Sequence, residues 1–192
     1  MRSDLVLDCR GWLTPTKNIS LKPSPNFDDR PCNLDPYLLV IHNISLPPGQ
    51  FGGPYISDFF QNKLDTSLHA WFENIAELKV SAHFLIDRNG HITQFVSTNK
   101  RAWHAGVSSF NDKNHCNDFS IGIELEGTDN IPYTHMQYSV LAALTHAIRQ
   151  KHNLTAVQGH EHIAPQRKTD PGPAFDWPRY ITDAKLWELN CP

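Results

Sequence analysis

The chain lacks any apolar run near the roughly 18 residues that crossing a bilayer requires, so no membrane-spanning helix is expected. It also lacks an excess of positive charge. The formal net charge is −3 with its histidines counted as neutral, which leaves no field to hold a phosphate backbone and excludes nucleic acid as a partner. The opening stretch, MRSDLVLDCRGWLTPTKN, contains only the short apolar run LVL, broken at once by Asp8 and Arg10. Without the apolar core of a secretory signal, a soluble cytoplasmic protein with no membrane contact is expected. Cysteine is sparse and unpatterned: Cys9, Cys32, Cys116 and Cys191 form no CxxC pair. In a reducing compartment four such thiols are expected to stay unpaired, so a disulfide framework and a cysteine-based metal site both fall away. The metal question passes to the histidines.

What is present fits one domain of 192 residues, long enough to bury a sizeable core. Residues 1–36, rich in Pro, Asn and Asp, are expected to wrap the surface; residues 37–180 form the core of the domain and residues 181–192 a terminal segment. YLLVIHN, residues 37–43, reads as an apolar strand closed by His42, and ISLPPGQFGGP after it cannot continue that strand. Two short helical patterns follow, ISDFFQNK and SLHAWFENIAEL. In SAHFLIDRNGHITQFV, Asn89 and Gly90 separate two alternating runs and predict a hairpin whose central residues take positive φ. FSIGIELEG alternates: Phe119, Ile121, Ile123 and Leu125 are expected on one face, and Ser120, Gly122, Glu124 and Glu126 on the other. Residues 134–153 predict the best helix, opened by a Thr134/Gln137 capping box, with Val140, Leu144, Ala147 and Ile148 turned inward. A short terminal helix is expected from about residue 178 to residue 189. Strands mixed with helices in this order predict an α/β domain with a central mixed β-sheet flanked by helices.

A catalytic zinc site needs three ligands of the His/Asp/Glu type and one open position. His42 at a strand end, His160 after a glycine and Asp170 before Pro171 qualify. The residue before a proline is biased to extended backbone, which would project Lys168 on the same side as Asp170. Glu124, on the carboxylate face of its strand, could orient a water and shuttle its proton, and Lys168 could meet developing negative charge. Each residue alone has a plainer role: a hydrogen-bonded histidine, a turn-initiating Asp, a solvated lysine. The wide separation of His42 from His160 matches no short ligand pattern. In addition, an extended HEH would put His162 on the same face as His160, making it a competitor to His42.

Five blocks tie these pieces together: LLVIHNISLPPGQFGGP, VSAHFLID, KRAWHAGVSSF, CNDFSIGIELEGTD and GHEHIAPQRKTDPGPAFDW. In this order, from residue 11 to residue 180, they resemble the AmpD family of zinc-dependent N-acetylmuramoyl-L-alanine amidases. The resemblance implies the fold of peptidoglycan-recognition and phage amidase domains. It places one zinc ion on His42, His160 and Asp170, the catalytic roles on Glu124 and Lys168, and no ligand role on His162. Asn43, Trp103, His104 and Ala105 are implied to line the groove near the sugar and the scissile amide. For Trp103 a core aromatic is the plainer alternative.

The family cleaves the amide between the lactyl group of N-acetylmuramic acid and L-alanine of the stem peptide. Its AmpD members act in the cytoplasm on 1,6-anhydro-muramoyl peptides from wall recycling, and in some bacteria they lower the signal for β-lactamase induction. The implied partner is this small molecule, and a monomer is expected. Two rivals stand beside this expectation: a peptidoglycan-fragment-binding module without catalysis, and a periplasmic amidase acting on intact wall. Lys79 and His115 stand where other members can carry arginine to hold the substrate. Lysine keeps the charge without the bidentate fork, and a neutral histidine loses it, so weaker anchoring or a shifted preference is expected.

Overall fold

The computed structural model describes residues 5–192 of the chain. Ten strands run in order: β1 Ile19–Leu21, β2 Phe27–Asp28, β3 Leu38–Ile44, β4 Phe84–Ile86, β5 Ile92–Gln94, β6 Arg101–Ala102, β7 Ser109–Phe110, β8 Lys113–Asn114, β9 Ser120–Glu126 and β10 Ala156–Gly159. Four helices accompany them: α1 Tyr55–Phe60, α2 His135–Lys151, α3 His160–Ile163 and α4 Trp177–Asp183. Six strands form the central sheet in the order β1-β5-β4-β9-β3-β10. Only the β4/β5 pair is antiparallel; the other four pairings are parallel, so the sheet is mixed. Two small antiparallel ribbons, β2/β6 and β7/β8, sit beside it.

Alternation along the two central strands decides where the core lies. Leu39 and Ile41 of β3 and Ile121, Ile123 and Leu125 of β9 point to one face, where Tyr138, Leu141, Leu144 and Ile148 of α2 close over them. Burying such a side chain contributes about 1.5–3 kcal/mol. On the opposite face, Leu38 and Val40 join Phe119 and Ile163 in a smaller cluster, while Phe59, Phe60, Phe72 and Phe95 build a third. Among the described residues, no long helix covers that face.

The α2 capping box is present in full: Gln137 N donates to Thr134 Oγ1 at 3.1 Å, and Thr134 N donates to Gln137 Oε1 at 3.0 Å. Other expectations are corrected. Phe119 precedes β9 and packs in the cluster opposite Ile121, because strand alternation applies only within the strand. The β4/β5 hairpin exists, but only Gly90 takes positive φ (+81°). Its turn spans residues 87–90, and the Asp87 side chain accepts from Asn89 N and His91 N, which holds the loop without an αL asparagine. SLHAWFENIAEL forms the 3-10 turns Thr66–Leu68 and Ala70–Ile75, interrupted at His69, whose backbone is extended and whose Nδ1 accepts from Trp71 N. Strand β3 runs past His42 to Ile44. The N-terminal 36 residues do more than wrap the surface: they supply the edge strand β1 and two core side chains, Leu13 and Ile19. Among the described residues, all four cysteines are free and no helix is long and apolar enough to cross a membrane.

Candidate metal centre and its cleft

His42 and Glu124 are register partners across the parallel β3/β9 pair. Paired residues share a face, and by alternation this is the one that α2 leaves uncovered. Strand β10 pairs with β3 on its other side, Gly159 opposite Ile41, so the chain delivers His160 beside His42 as β10 ends and α3 begins. A loop then returns: Arg167 N and Lys168 N donate to Ala164 O, and Glu161 N donates to Asp170 O at 2.9 Å, closing Asp170 against His160.

Three ligand atoms converge as a result. His42 Nδ1 lies 3.0 Å from His160 Nδ1, and each lies 3.1 Å from Asp170 Oδ2. Among the described residues this is the one His/Cys/Asp/Glu group able to hold a metal ion, with its ligand atoms all within 4.8 Å. His160 Nε2 is 3.1 Å from the carbonyl of Ala105. A carbonyl only accepts, so that nitrogen carries the proton and Nδ1 of the neutral ring offers a lone pair. Burial, then the neighbouring His160, push the His42 imidazole down to about 4, against the pull of the adjacent Asp170 carboxylate. Burial opposes ionisation of Asp170, but the adjacent imidazoles of His160 and His42 outweigh it and hold the carboxyl well below the usual range. Two imidazoles and a carboxylate converging in this way are a donor set that fits a divalent transition metal.

Beside this group, Glu124 is buried and its Oε2 has no hydrogen-bond partner among the described residues. Burial raises its pKa well above the carboxylate norm; the charge of Asp170 adds to this and that of Lys168 opposes it. Glu126, on the same face, is unlike it: its carboxylate accepts from Gly52 N at 2.6 Å and Arg88 N at 3.1 Å. Glu124, His42, His160, Lys168 and Asp170 line one side of a cleft of about 370 Å³, and Trp71, Ile75, Leu78 and Trp103 form its apolar wall. A larger groove of about 910 Å³ on the outer side of α2 contains none of the predicted site residues.

The remaining predicted residues divide. Asn43 borders the cleft, and its amide donates to Asp129 Oδ1 and Pro171 O, tying β3 to the Asp170 loop. Trp103 lines the cleft and is only half-buried. Ala105 has a buried side chain and contributes its carbonyl to His160 and Arg167 instead. Lys79 is exposed between two lining residues, Leu78 and Val80, and is not itself in the lining. His115 is exposed at φ +62° just after the β7/β8 ribbon and stands outside the cleft. His162 does not compete for the metal. HEH is a turn of helix rather than extended chain, so His160 and His162 diverge; His162 Nδ1 accepts from Gly159 N and its ring packs against Trp177.

The sequence reading missed Arg167, which straps the two loops of the site by donating to Ala105 O and Val107 O. It missed Arg30 too, buried and donating to the carbonyls of Asn117, Asp118, Thr98 and Ser120. No local pattern marks either. Gly122 did carry a signal, since a lone glycine inside an alternating strand marks a close approach.

Comparison with known proteins identifies the family. The family described as N-acetylmuramoyl-L-alanine amidase matches residues 33–173. The 1,6-anhydro-N-acetylmuramyl-L-alanine amidase AmpD of Citrobacter freundii is 54% identical over 178 residues, covering 92% of this chain and 93% of that protein. A crystal structure of a selenomethionine AmpD derivative superposes with a TM-score of 0.89 at 52% identity, covering 93% of this chain and 99% of that one. AmiD from E. coli, solved with the substrate anhydro-N-acetylmuramic acid-L-Ala-D-gamma-Glu-L-Lys, is 27% identical with a TM-score of 0.56, covering 98% of this chain and 67% of that one. The chain belongs to the AmpD family of N-acetylmuramoyl-L-alanine amidases.

Proposed function

We propose that this protein is a zinc-dependent amidase of peptidoglycan recycling. It hydrolyses the amide between the lactyl group of 1,6-anhydro-N-acetylmuramic acid and L-alanine of the stem peptide, in the cytoplasm and as a monomer. The observation that carries the reading is the convergence of His42, His160 and Asp170 beside Glu124, whose buried Oε2 has no partner among the described residues. Zinc held by this triad would supply Lewis acidity, lowering the pKa of a water toward ~7 and polarising a carbonyl.

The chain's own residues do the rest. Glu124 takes a proton from the attacking water at Oε2 and returns it to the alanine nitrogen as the C–N bond breaks, leaving a lactyl carboxylate and a free peptide amine. Its environment suits both halves of that task. Burial and Asp170 favour the protonated form, while Lys168 favours the ionised one. Lys168 places its ammonium where negative charge develops on the lactyl oxygen. Asn43 steadies the loop that carries Asp170, and the wall of Trp71, Ile75, Leu78 and Trp103 keeps water from the apolar side. In a host with inducible β-lactamase, the same hydrolysis would lower the muramoyl-peptide signal.

The test is release of free stem peptide from soluble anhydro-muramoyl-tripeptide, with zinc measured in the same sample. Turnover is expected to stop with a chelator and return with zinc, and to be faster than on insoluble sacculi. Undiminished turnover in the chelator would remove the zinc reading. Binding of the fragment without peptide release would make the chain a recognition module.

A further inference from the structure

His104 is placed by resemblance at the substrate, yet both of its ring nitrogens face the protein. Nδ1 lies 2.9 Å from His42 Nε2, and Nε2 lies 3.2 Å from Ser120 Oγ. The two imidazoles meet edge to face, 5.0 Å between centroids and 83° between planes. The loop that carries His104 is pinned, because His104 N and Ala105 N both donate to Asn117 Oδ1, at 3.1 and 2.8 Å. The ring lies directly over Gly122 of β9: a Cβ there would come within 2.5 Å of His104 Cγ and 2.6 Å of Nδ1. Glycine is what lets the ring approach the sheet closely enough to reach His42.

We propose that His104 is the positioning residue of His42: its Nδ1 accepts the Nε2 proton, so that His42 Nδ1 presents a lone pair toward His160 and Asp170. This rests on the reading of that triad as the zinc site. A neutral imidazole exposes Nδ1 only when its proton sits on Nε2, and a partner behind Nε2 decides which tautomer is held. For His160 that partner is the Ala105 carbonyl. For His42 it is the adjacent residue's ring, provided that His104 keeps its own proton on Nε2, where the Ser120 hydroxyl can accept it. Residues 104 and 105 therefore serve both imidazoles of the triad, one with a ring nitrogen and the other with a carbonyl. Gly122 is required because the acceptor is a ring rather than a short side chain.

The test compares His104→Asn with His104→Leu in the full chain. The two side chains share a branched skeleton, but only asparagine keeps an acceptor near the position of Nδ1. Zinc affinity, measured by competition with a chelator, is expected to fall about 10–100-fold in His104→Leu and to stay within about three-fold of wild type in His104→Asn. The melting temperatures of the two metal-free variants should match, which separates the effect from a general loss of packing. Wild-type affinity in the leucine variant, or equal weakness in both variants, would overturn the assignment while leaving the amidase reading intact. If the leucine variant does not fold, His104→Ala serves as the acceptor-free variant with the same expectation. A wild-type chain that takes up no zinc would remove the metal reading, and this inference with it.

Discussion

On one face of the sheet, Leu39, Ile41, Ile121, Ile123 and Leu125 meet α2 in a continuous apolar layer. On the other, the same two strands present His42, Gly122, Glu124 and Glu126 to loops and short turns. The apolar layer is closed by α2, whose start is held by the Thr134/Gln137 capping box. The polar face buries an ionisable group, Glu124, with one oxygen unpartnered, an arrangement that costs stability and makes sense where a proton must move. A period of two along the chain thus separates what holds the molecule together from what it does.

Mutations on the two faces should give opposite signatures. Glu124→Gln should lower kcat by about 10²–10⁴ and leave the melting temperature unchanged or slightly raised, since an unsatisfied buried carboxylate is removed. Lys168→Ala should cost on the order of 10²–10³ in kcat with zinc content unchanged; an equal loss of zinc would mean that the lysine supports the ligand loop instead. On the apolar face, Leu141→Ala should destabilise by about 2–5 kcal/mol in chemical denaturation, with kcat preserved at temperatures where the variant is folded. Glu126→Gln tests the comparison within one face. Its carboxylate satisfies two backbone N–H groups, so about 1–3 kcal/mol of stability should be lost while kcat stays near wild type. If Glu126→Gln abolished turnover as Glu124→Gln does, burial and pairing would not be what distinguishes the two carboxylates.

The features legible from the sequence were those set by short periods and local chemistry. Alternation in SIGIELE located both faces of β9, and Thr134 with Gln137 located the start of α2. Local pattern failed where the chain changes state at a boundary. Alternation begins only at Ser120 and so misplaces Phe119, and the extended HEH that would make His162 a competitor does not form, because Gly159 opens a helical turn at His160. The triad residues are far apart in sequence and were suggested by residue type and resemblance, because only the β3/β9 and β3/β10 registers bring them together. The supporting shell was illegible for the same reason. Arg30, Arg167 and the orientation of His104 depend on loops that meet in space, and only Gly122 left a mark in the sequence.

The central claim is that His42, His160 and Asp170 form a metal centre, and zinc titration of the wild type against Asp170→Asn tests it most directly. Asparagine keeps the shape of the side chain and removes the anionic ligand oxygen to which both imidazoles point. The account predicts one tightly held zinc per wild-type chain and a large loss of affinity in the variant, with the fold retained by circular dichroism. Stoichiometric zinc binding by Asp170→Asn with wild-type affinity would contradict it.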